Sequence, residues 1–429
     1  MGYIPSIDVK NKKTTALLIL TSVLLGNAGC SSLTSEKRVR REVHTHYSVR
    51  EPEFSNSISH LLGPPLVEGN RIIELVNGDQ VFPAMLEAIR GAQKTITLET
   101  FIWKSGEITR EFTAALSERA QAGVKVRILV DTLGSSKFST RDQLQLRKAG
   151  AEFVKFNFPW PLKIFRINHR THRKIMVVDG KIGFTGGVCL ADDWQGNAEP
   201  GHWRDTHLRI EGPVVGQMQA AFLDHWLQAR SQIFHGGDYF PQLGPVGSTT
   251  AQFFKSGARD GAENALVTYL LSIAAARTNI RLAHAQFVPN DLLIKALGEA
   301  SKRGVKIQVI VPAKCDNFAV GMASRSRYGQ LLRAGIEIFE YQPTHFHCKI
   351  MIVDDLWVTA GSVNFDERSF RINGEANLNV MDRDLAAKLT RSFEEDKSKS
   401  RQFTLEDFKK RNWLSKGFDL FMGFFRSQL

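Results

Sequence analysis

HRKIMVVD, residues 172–179, returns 175 positions later as HCKIMIVD, residues 347–354. The first copy carries His172, Lys174 and Asp179, and the second carries His347, Lys349 and Asp354. Two small residues follow each copy at the same distance: Gly186 and Gly187 in one, Gly361 and Ser362 in the other. Alternate positions of a strand face the same way, so His and Lys share a face in both copies. Two such strands brought together set two imidazoles and two ammonium groups around one spot. That group suits an anionic phosphate, with one histidine to attack and one to shuttle a proton. One copy of so short a pattern means little; two copies with matched downstream residues mean much more.

Working outward, the rest of the chain repeats as well. KTITLETFIW (94–103), EITREFTAALSERAQAG (107–123) and VKVRILVD (124–131) read as strand, helix and buried strand. TNIRLAHAQF (278–287), NDLLIKALGEASKRG (290–304) and VKIQVIVP (305–312) repeat that order. RKAGAEFVKF (147–156) and RAGIEIFEY (333–341) then precede the two motifs. Gly304 lies 181 residues after Gly123, and Gly335 lies 185 after Gly150. A period this long marks a duplicated domain and not a solenoid unit. The alternation of strands and helices predicts an α/β fold of two duplicated lobes, each a mixed sheet flanked by helices, with the active site between them. The expected boundaries are 66–247 for the first lobe and 248–400 for the second.

Composition sets the context. The 429 residues are 43% hydrophobic, ample for two lobes, and carry a formal net charge of +12. A basic balance favours anionic partners, either a membrane surface or nucleic acid. The four cysteines, Cys30, Cys189, Cys315 and Cys348, are too few for a disulfide framework, and their spacing does not suggest a zinc site. Lys10, Lys12 and Lys13 precede the apolar run TALLILTSVLLG and then NAGCSS. A basic flank, a short apolar core and small residues describe an export signal over residues 1–29. Cys30 after Ala28 and Gly29 is similar to a bacterial lipoprotein box, although Asn27 departs from its usual aliphatic residue; an uncleaved anchor is the alternative. Residues 30–65 read as a polar, basic linker. Residues 401–429 read as a basic, aromatic tail, suited either to a membrane interface or to docking on the core. FNFPWPLKIFRINHR (156–170), ahead of the first motif, suits a lipid entrance or a packed loop.

The doubled motif, with GSVNFDERSF after its second copy, resembles the phospholipase D superfamily. ELVNGDQVFPAMLEAI, TLETFIW and THRKIMVVDGKIGFTGG, followed by HWRDTHLRIEGPVV, are similar to its bacterial cardiolipin synthase branch. The resemblance covers residues 66–400. It implies a two-step phosphatidyl transfer that needs no cofactor or metal. One histidine attacks phosphorus and forms a phosphohistidine; the other protonates the leaving alcohol and then deprotonates the acceptor. By analogy His172 is the nucleophile and His347 the acid and base, although the sequence permits the reverse. Lys174 and Lys349 would hold the nonbridging oxygens. Asn364, 17 residues after His347, falls at the family's phosphate-contacting position, whereas the matching first-half position is Cys189, a weak donor. Glu375 matches the acid that orients a catalytic histidine, and Asp205 is similar to its first-half counterpart. Asp179 and Asp354 belong to the motif with a structural role. His169, His202, His207, His284 and His345 are expected in the periphery or the core.

The resemblance implies an anionic phospholipid substrate, and the basic chain with its signal implies an exported protein, lipid-anchored at Cys30 in a bacterial envelope. Three other functions compete with phosphatidyl transfer. A phospholipase D would use the same first step with water as acceptor. A nuclease is permitted by charge, but no nucleic-acid-binding module is recognisable. An inactive membrane scaffold is disfavoured by two intact motifs. The sequence leaves the oligomeric state open.

Overall fold

A computed structural model describes residues 39–156, 169–258 and 261–411. The first lobe supplies β1 (Val67–Val76), β2 (Thr95–Thr100), β3 (Lys125–Asp131), β4 (Glu152–Phe156), β5 (Ile175–Val178), β6 (Ile182–Gly186) and β7 (Thr206–Glu211). The second supplies β8 (Thr249–Ser256), β9 (Asn279–His284), β10 (Lys306–Pro312), β11 (Glu337–Tyr341), β12 (Lys349–Val353), β13 (Trp357–Gly361), β14 (Glu375–Met381) and β15 (Ser400–Phe403). They form one sheet in the order β15-β11-β10-β9-β12-β13-β14-β8-β1-β7-β6-β5-β2-β3-β4. Without β15, this order is a palindrome about the β8–β1 junction. Each half has three parallel strands (β2, β3, β4; β9, β10, β11) followed by antiparallel ones. The lobes meet where β1 and β8 pair at Val67↔Ala251 and Asn70↔Thr249, with a register shift between.

The sequence explains the elements that carry the motifs. In each copy the apolar run after Lys is buried throughout, as Ile175–Val178 and Lys349–Val353. The motif aspartates end the strands. Asp179 and Gly180 take positive φ of 52° and 63° in the tight turn between β5 and β6, and Asp354 and Asp355 take 51° and 52° in the second copy. The Asp179 carboxylate accepts from the N–H groups of Gln93, Lys94 and Thr95. Asp354 accepts from those of Arg277, Thr278 and Asn279. Each carboxylate thus ties its hairpin to the start of the neighbouring strand, one strand-length from the histidine.

Among the described residues, three large apolar clusters fill most of the faces, beside two smaller ones. One belongs to each lobe. The third runs beneath both, from Ile72, Val177 and Leu208 to Ala283, Ile350 and Leu378. The helices Val215–Arg230 and Arg383–Ser398 contribute to this shared cluster through Met218 and Leu389, so the lobes are joined by a continuous core.

The structure corrects two boundaries. Much of the expected linker is folded: Pro52–Leu62 is a helix whose Phe54, Ile58 and Leu62 are buried in the second-lobe core. The Phe54 ring meets Trp357 edge-on at 4.8 Å. These three residues recur every four positions, and Pro52 starts the helix while Gly63 ends it. At the other end, the second lobe continues past residue 400. β15 pairs with β11, and the helix Leu405–Lys410, capped by Thr404 and Asp407, sets Phe408 beside Gly329. The signal segment with Cys30, most of FNFPWPLKIFRINHR and tail residues 412–429 lie outside the described residues. Among the described residues, no helix is long and apolar enough to cross a membrane.

Candidate active site

The two motifs meet where β5 and β12 begin, and their approach is stitched by main chain. The His172 N–H donates to the Gly374 carbonyl at 2.8 Å, and the His347 N–H donates to the Arg204 carbonyl at 2.7 Å. Each motif therefore enters its strand alongside the segment of the other lobe that carries an acid.

Those acids pair across the lobes. His172 Nδ1 lies 3.0 and 2.9 Å from the two oxygens of Glu375, a second-lobe residue. His347 Nδ1 lies 2.7 Å from Oδ2 of Asp205, a first-lobe residue. Both acids are fully buried. An acceptor at Nδ1 fixes the tautomer with hydrogen on Nδ1 and leaves the lone pair on Nε2, the nucleophilic or basic atom. The lysines fold back along their strands. Lys174 Nζ donates to the His172 carbonyl at 2.6 Å; Lys349 Nζ donates to the His347 carbonyl at 2.7 Å and lies 3.1 and 3.2 Å from that ring's nitrogens.

Burial dominates the electrostatics. It pushes His172 down to about 4, although Glu375 pulls the other way. It drives His347 well below the usual value as well, helped by Lys349 and His345. Lys349 is lowered to about 8, again by burial. Each imidazole feels the charge of both lysines, so the four side chains form one electrostatic unit. The acids differ. Burial raises Asp205, against the pull of Lys349. Burial also opposes ionisation of Glu375, but His172 and Lys174 outweigh it and hold that carboxyl below its ordinary value.

The residues supporting each acid break the symmetry. Glu375 accepts from the Ser362 hydroxyl, from Ser369 Oγ at 2.9 Å and from Asn373 Nδ2 at 3.3 Å. Asp205 accepts from the Trp194 indole at 2.9 Å and the Thr206 N–H at 2.8 Å. Gly187, the counterpart of Ser362, leaves no room for a Cβ, which would collide with the Asp205 carboxylate. Asn364 donates to Gln286 Oε1 at 3.2 Å, and its own oxygen is buried without a partner. Cys189 is buried within electrostatic reach of Lys349. The walls are aromatic: Phe101 lies 5.1 Å from the His172 ring, and Trp194 and Trp203 lie 5.1 and 5.2 Å from that of His347.

Of the residues expected at the site, His172, Lys174, His347, Lys349, Glu375 and Asp205 come together; Asp179 and Asp354 stand at the far turns. His207 and His284 are core residues beneath the lysines, lowered by burial to about 4 and about 3. Trp194, Ser369, Asn373 and Arg204 went unread in the sequence, since only the folded chain sets them against an acid. Ser362 had a signal, as half of the matched small pair. Among the described residues, no group of three or more His, Cys, Asp or Glu is placed to hold a metal ion.

The family model described as "Cardiolipin synthase, PLD-like domain" matches residues 85–226 and 269–397, one copy per lobe. The chain belongs to this phospholipase D-like family. It is 36% identical to a probable cardiolipin synthase of Bacillus subtilis, over 79% of this chain and 68% of the relative. It is 34% identical to cardiolipin synthase 1 of Staphylococcus aureus strain COL, over 81% of this chain and 71% of that one. Among solved structures, the phosphatidylserine synthase of Haemophilus influenzae superposes with a TM-score of 0.68 at 14% identity, covering 88% of this chain and all of its own. That likeness is one of fold.

Proposed function

We propose that the protein is a cardiolipin synthase, moving a phosphatidyl group from one phosphatidylglycerol to another and releasing glycerol. The observation that carries the mechanism is the reciprocal pairing of His172 with Glu375 and His347 with Asp205, around two lysines. His172 is neutral at physiological pH, so Nε2 can attack phosphorus as the bond to the glycerol oxygen breaks. His347 gives that oxygen its proton, for which it must first be charged. An arriving phosphodiester anion beside it favours that charge. Glycerol leaves, and the phosphatidyl group rests on His172. His347, now neutral, takes the proton from the hydroxyl of a second phosphatidylglycerol, whose oxygen displaces His172. Lys174 and Lys349 stabilise charge on the nonbridging oxygens in both steps.

Transfer, as against hydrolysis, requires little water near the intermediate. Phe101, Trp194 and Trp203 make the walls beside both imidazoles apolar, which favours a lipid alcohol over water. A lipid substrate also places the enzyme at a bilayer. The segment ending at Cys30 and the aromatic tail are the sequence features that would hold it there, and their charge suits an anionic leaflet.

The test is mass spectrometry of products from phosphatidylglycerol vesicles, with wild type beside His347→Ala. Cardiolipin and glycerol, both lost in the variant, are expected. Phosphatidic acid alone would make the protein a hydrolase.

A further inference from the structure

Arg204 is a buried cation that the steps above do not use. Its main chain runs beside the second motif: its N–H donates to the His345 carbonyl at 2.9 Å, and its carbonyl receives the His347 N–H. Its side chain turns inward, only 4% of the residue being exposed. Nε donates to Asp396 Oδ1 at 2.9 Å and Nη2 lies 2.8 Å from Asp396 Oδ2, a two-pronged contact. Nη1 donates to the Asp205 carbonyl and, at 2.9 Å, to the Thr206 hydroxyl. One guanidinium thus joins the main chain of the acid that holds His347 to a carboxylate on the second-lobe helix Arg383–Ser398.

A buried ion pair is a weak source of stability, because desolvation cancels much of its attraction. A fixed planar fork with every prong engaged is, however, a precise positioner. The other half of the site has the same device. Arg173, also buried, donates from Nε to the Glu375 carbonyl at 3.2 Å and from Nη1 to Asp224 Oδ2 at 3.3 Å. Asp224 lies on the helix Val215–Arg230, which follows β7 as Arg383–Ser398 follows β14. The two arginines are not at matching positions in the duplication. Arg173 lies inside its motif, where the second copy has Cys348, whereas Arg204 lies beside the acid itself. Both reach the same arrangement: carbonyl of the histidine's acid on one prong, aspartate of the covering helix on another. That recurrence by two routes argues for a requirement of the site and against an accident of packing.

We propose that the Arg204–Asp396 pair is a cross-lobe positioning clamp, holding Asp205, and through it His347, in register for proton transfer. This rests on the roles given above to Asp205 and His347. The clamp touches no substrate. It ties the packing of a second-lobe helix to the orientation of a histidine held by a first-lobe acid, so slackening it displaces the proton donor and leaves lipid binding alone.

The test compares full-length wild type, Asp205→Asn, Arg204→Lys and the double variant Arg204→Met/Asp396→Leu. The double variant removes both charges together, so no lone charge is left buried to unfold the protein. For each, kcat, KM, Tm and the pH dependence of kcat are measured on phosphatidylglycerol vesicles. The double variant is expected to keep its Tm and KM while kcat falls by about 100-fold, the scale set by small misplacements of catalytic groups. Asp205 favours the protonated form of His347, so the alkaline limb of the profile should move to lower pH. Arg204→Lys, which keeps the charge without the fork, should stay impaired. Wild-type kcat and profile in the folded double variant, or full rescue by Lys, would overturn the clamp while an impaired Asp205→Asn left the proposed function standing. A loss that followed Tm with an unmoved limb would also overturn it. If Asp205→Asn itself were silent, the role of Asp205 would fall, and the clamp with it.

Discussion

Replacing Glu375 with Gln changes almost no volume and removes one charge from beneath His172. The structure predicts how the amide will sit. Oε1 receives Ser369, Asn373 and His172, whereas Oε2 receives Ser362 and His172. An amide nitrogen in place of Oε1 would face the Asn373 amide, another donor. In place of Oε2 it faces the Ser362 hydroxyl, which can rotate to accept. The amide oxygen therefore takes the Oε1 position, 3.0 Å from His172 Nδ1, and still accepts its hydrogen, while the amide nitrogen replaces the oxygen that stood 2.9 Å away. What is lost is the charge-assisted part of the bond, about 1–1.5 kcal/mol, the difference between a hydrogen bond to a charged group and a neutral one. That charge matters most when the imidazole becomes cationic on phosphorylation, so the loss falls on the transition state. It corresponds to a kcat about 5- to 12-fold lower, with KM little changed. Quenched-flow measurement of product release from fluorescent phosphatidylglycerol, with thermal unfolding in parallel, gives the comparison. A kcat within twofold of wild type in a folded variant would refute the role of the cross-lobe acid.

Other expectations follow from the fold and its buried groups. Phe54→Ala should cost about 3–5 kcal/mol, as for other buried aromatics, read as a lower denaturant midpoint; a negligible cost would return this segment to the status of a linker. Asp354→Asn removes the charged acceptor from several donors and should lower stability by about 1.5–3 kcal/mol while leaving kcat/KM intact; a selective loss of activity would put Asp354 in the chemistry. His284 is fully buried with both ring nitrogens unpartnered and is lowered from 6.5 to about 3. A depressed histidine takes up its proton first in the unfolded chain, so stability falls as pH drops from about 6.5 toward about 3, by about 1.4 kcal/mol per unit. His284→Leu should therefore raise stability more at pH 5 than at pH 8, and an equal change at both would refute this.

The architecture was legible because duplication amplifies weak signals. The 175-residue return of the motif, with the repeated strand–helix–strand order, gave two lobes of mixed sheet with the motifs on strands. That both lobes share one sheet was not legible. The β1–β8 junction rests on two register pairs, too little pattern to read. The helix Pro52–Leu62 was hidden by its Ser, Asn and His face, which masks the spacing of Phe54, Ile58 and Leu62. At the site, spacing could name His172, Lys174, His347 and Lys349, and family likeness could name Glu375 and Asp205. Neither could tell that each acid crosses to the other lobe's histidine. Trp194, Arg173 and Arg204 act through contacts fixed only when distant segments meet, and an isolated Trp or Arg in sequence gives no sign of its partner.

Locating the covalent intermediate decides whether His172 is the nucleophile. His347→Ala is incubated with phosphatidyl-p-nitrophenol, whose leaving group needs no proton, quenched in base, and mapped by peptide mass spectrometry. A stoichiometric burst of nitrophenol is expected, with a phosphatidyl adduct on His172 that persists because the base that would activate an acceptor is gone. An adduct on another residue, or steady turnover with no adduct, would contradict that role for His172.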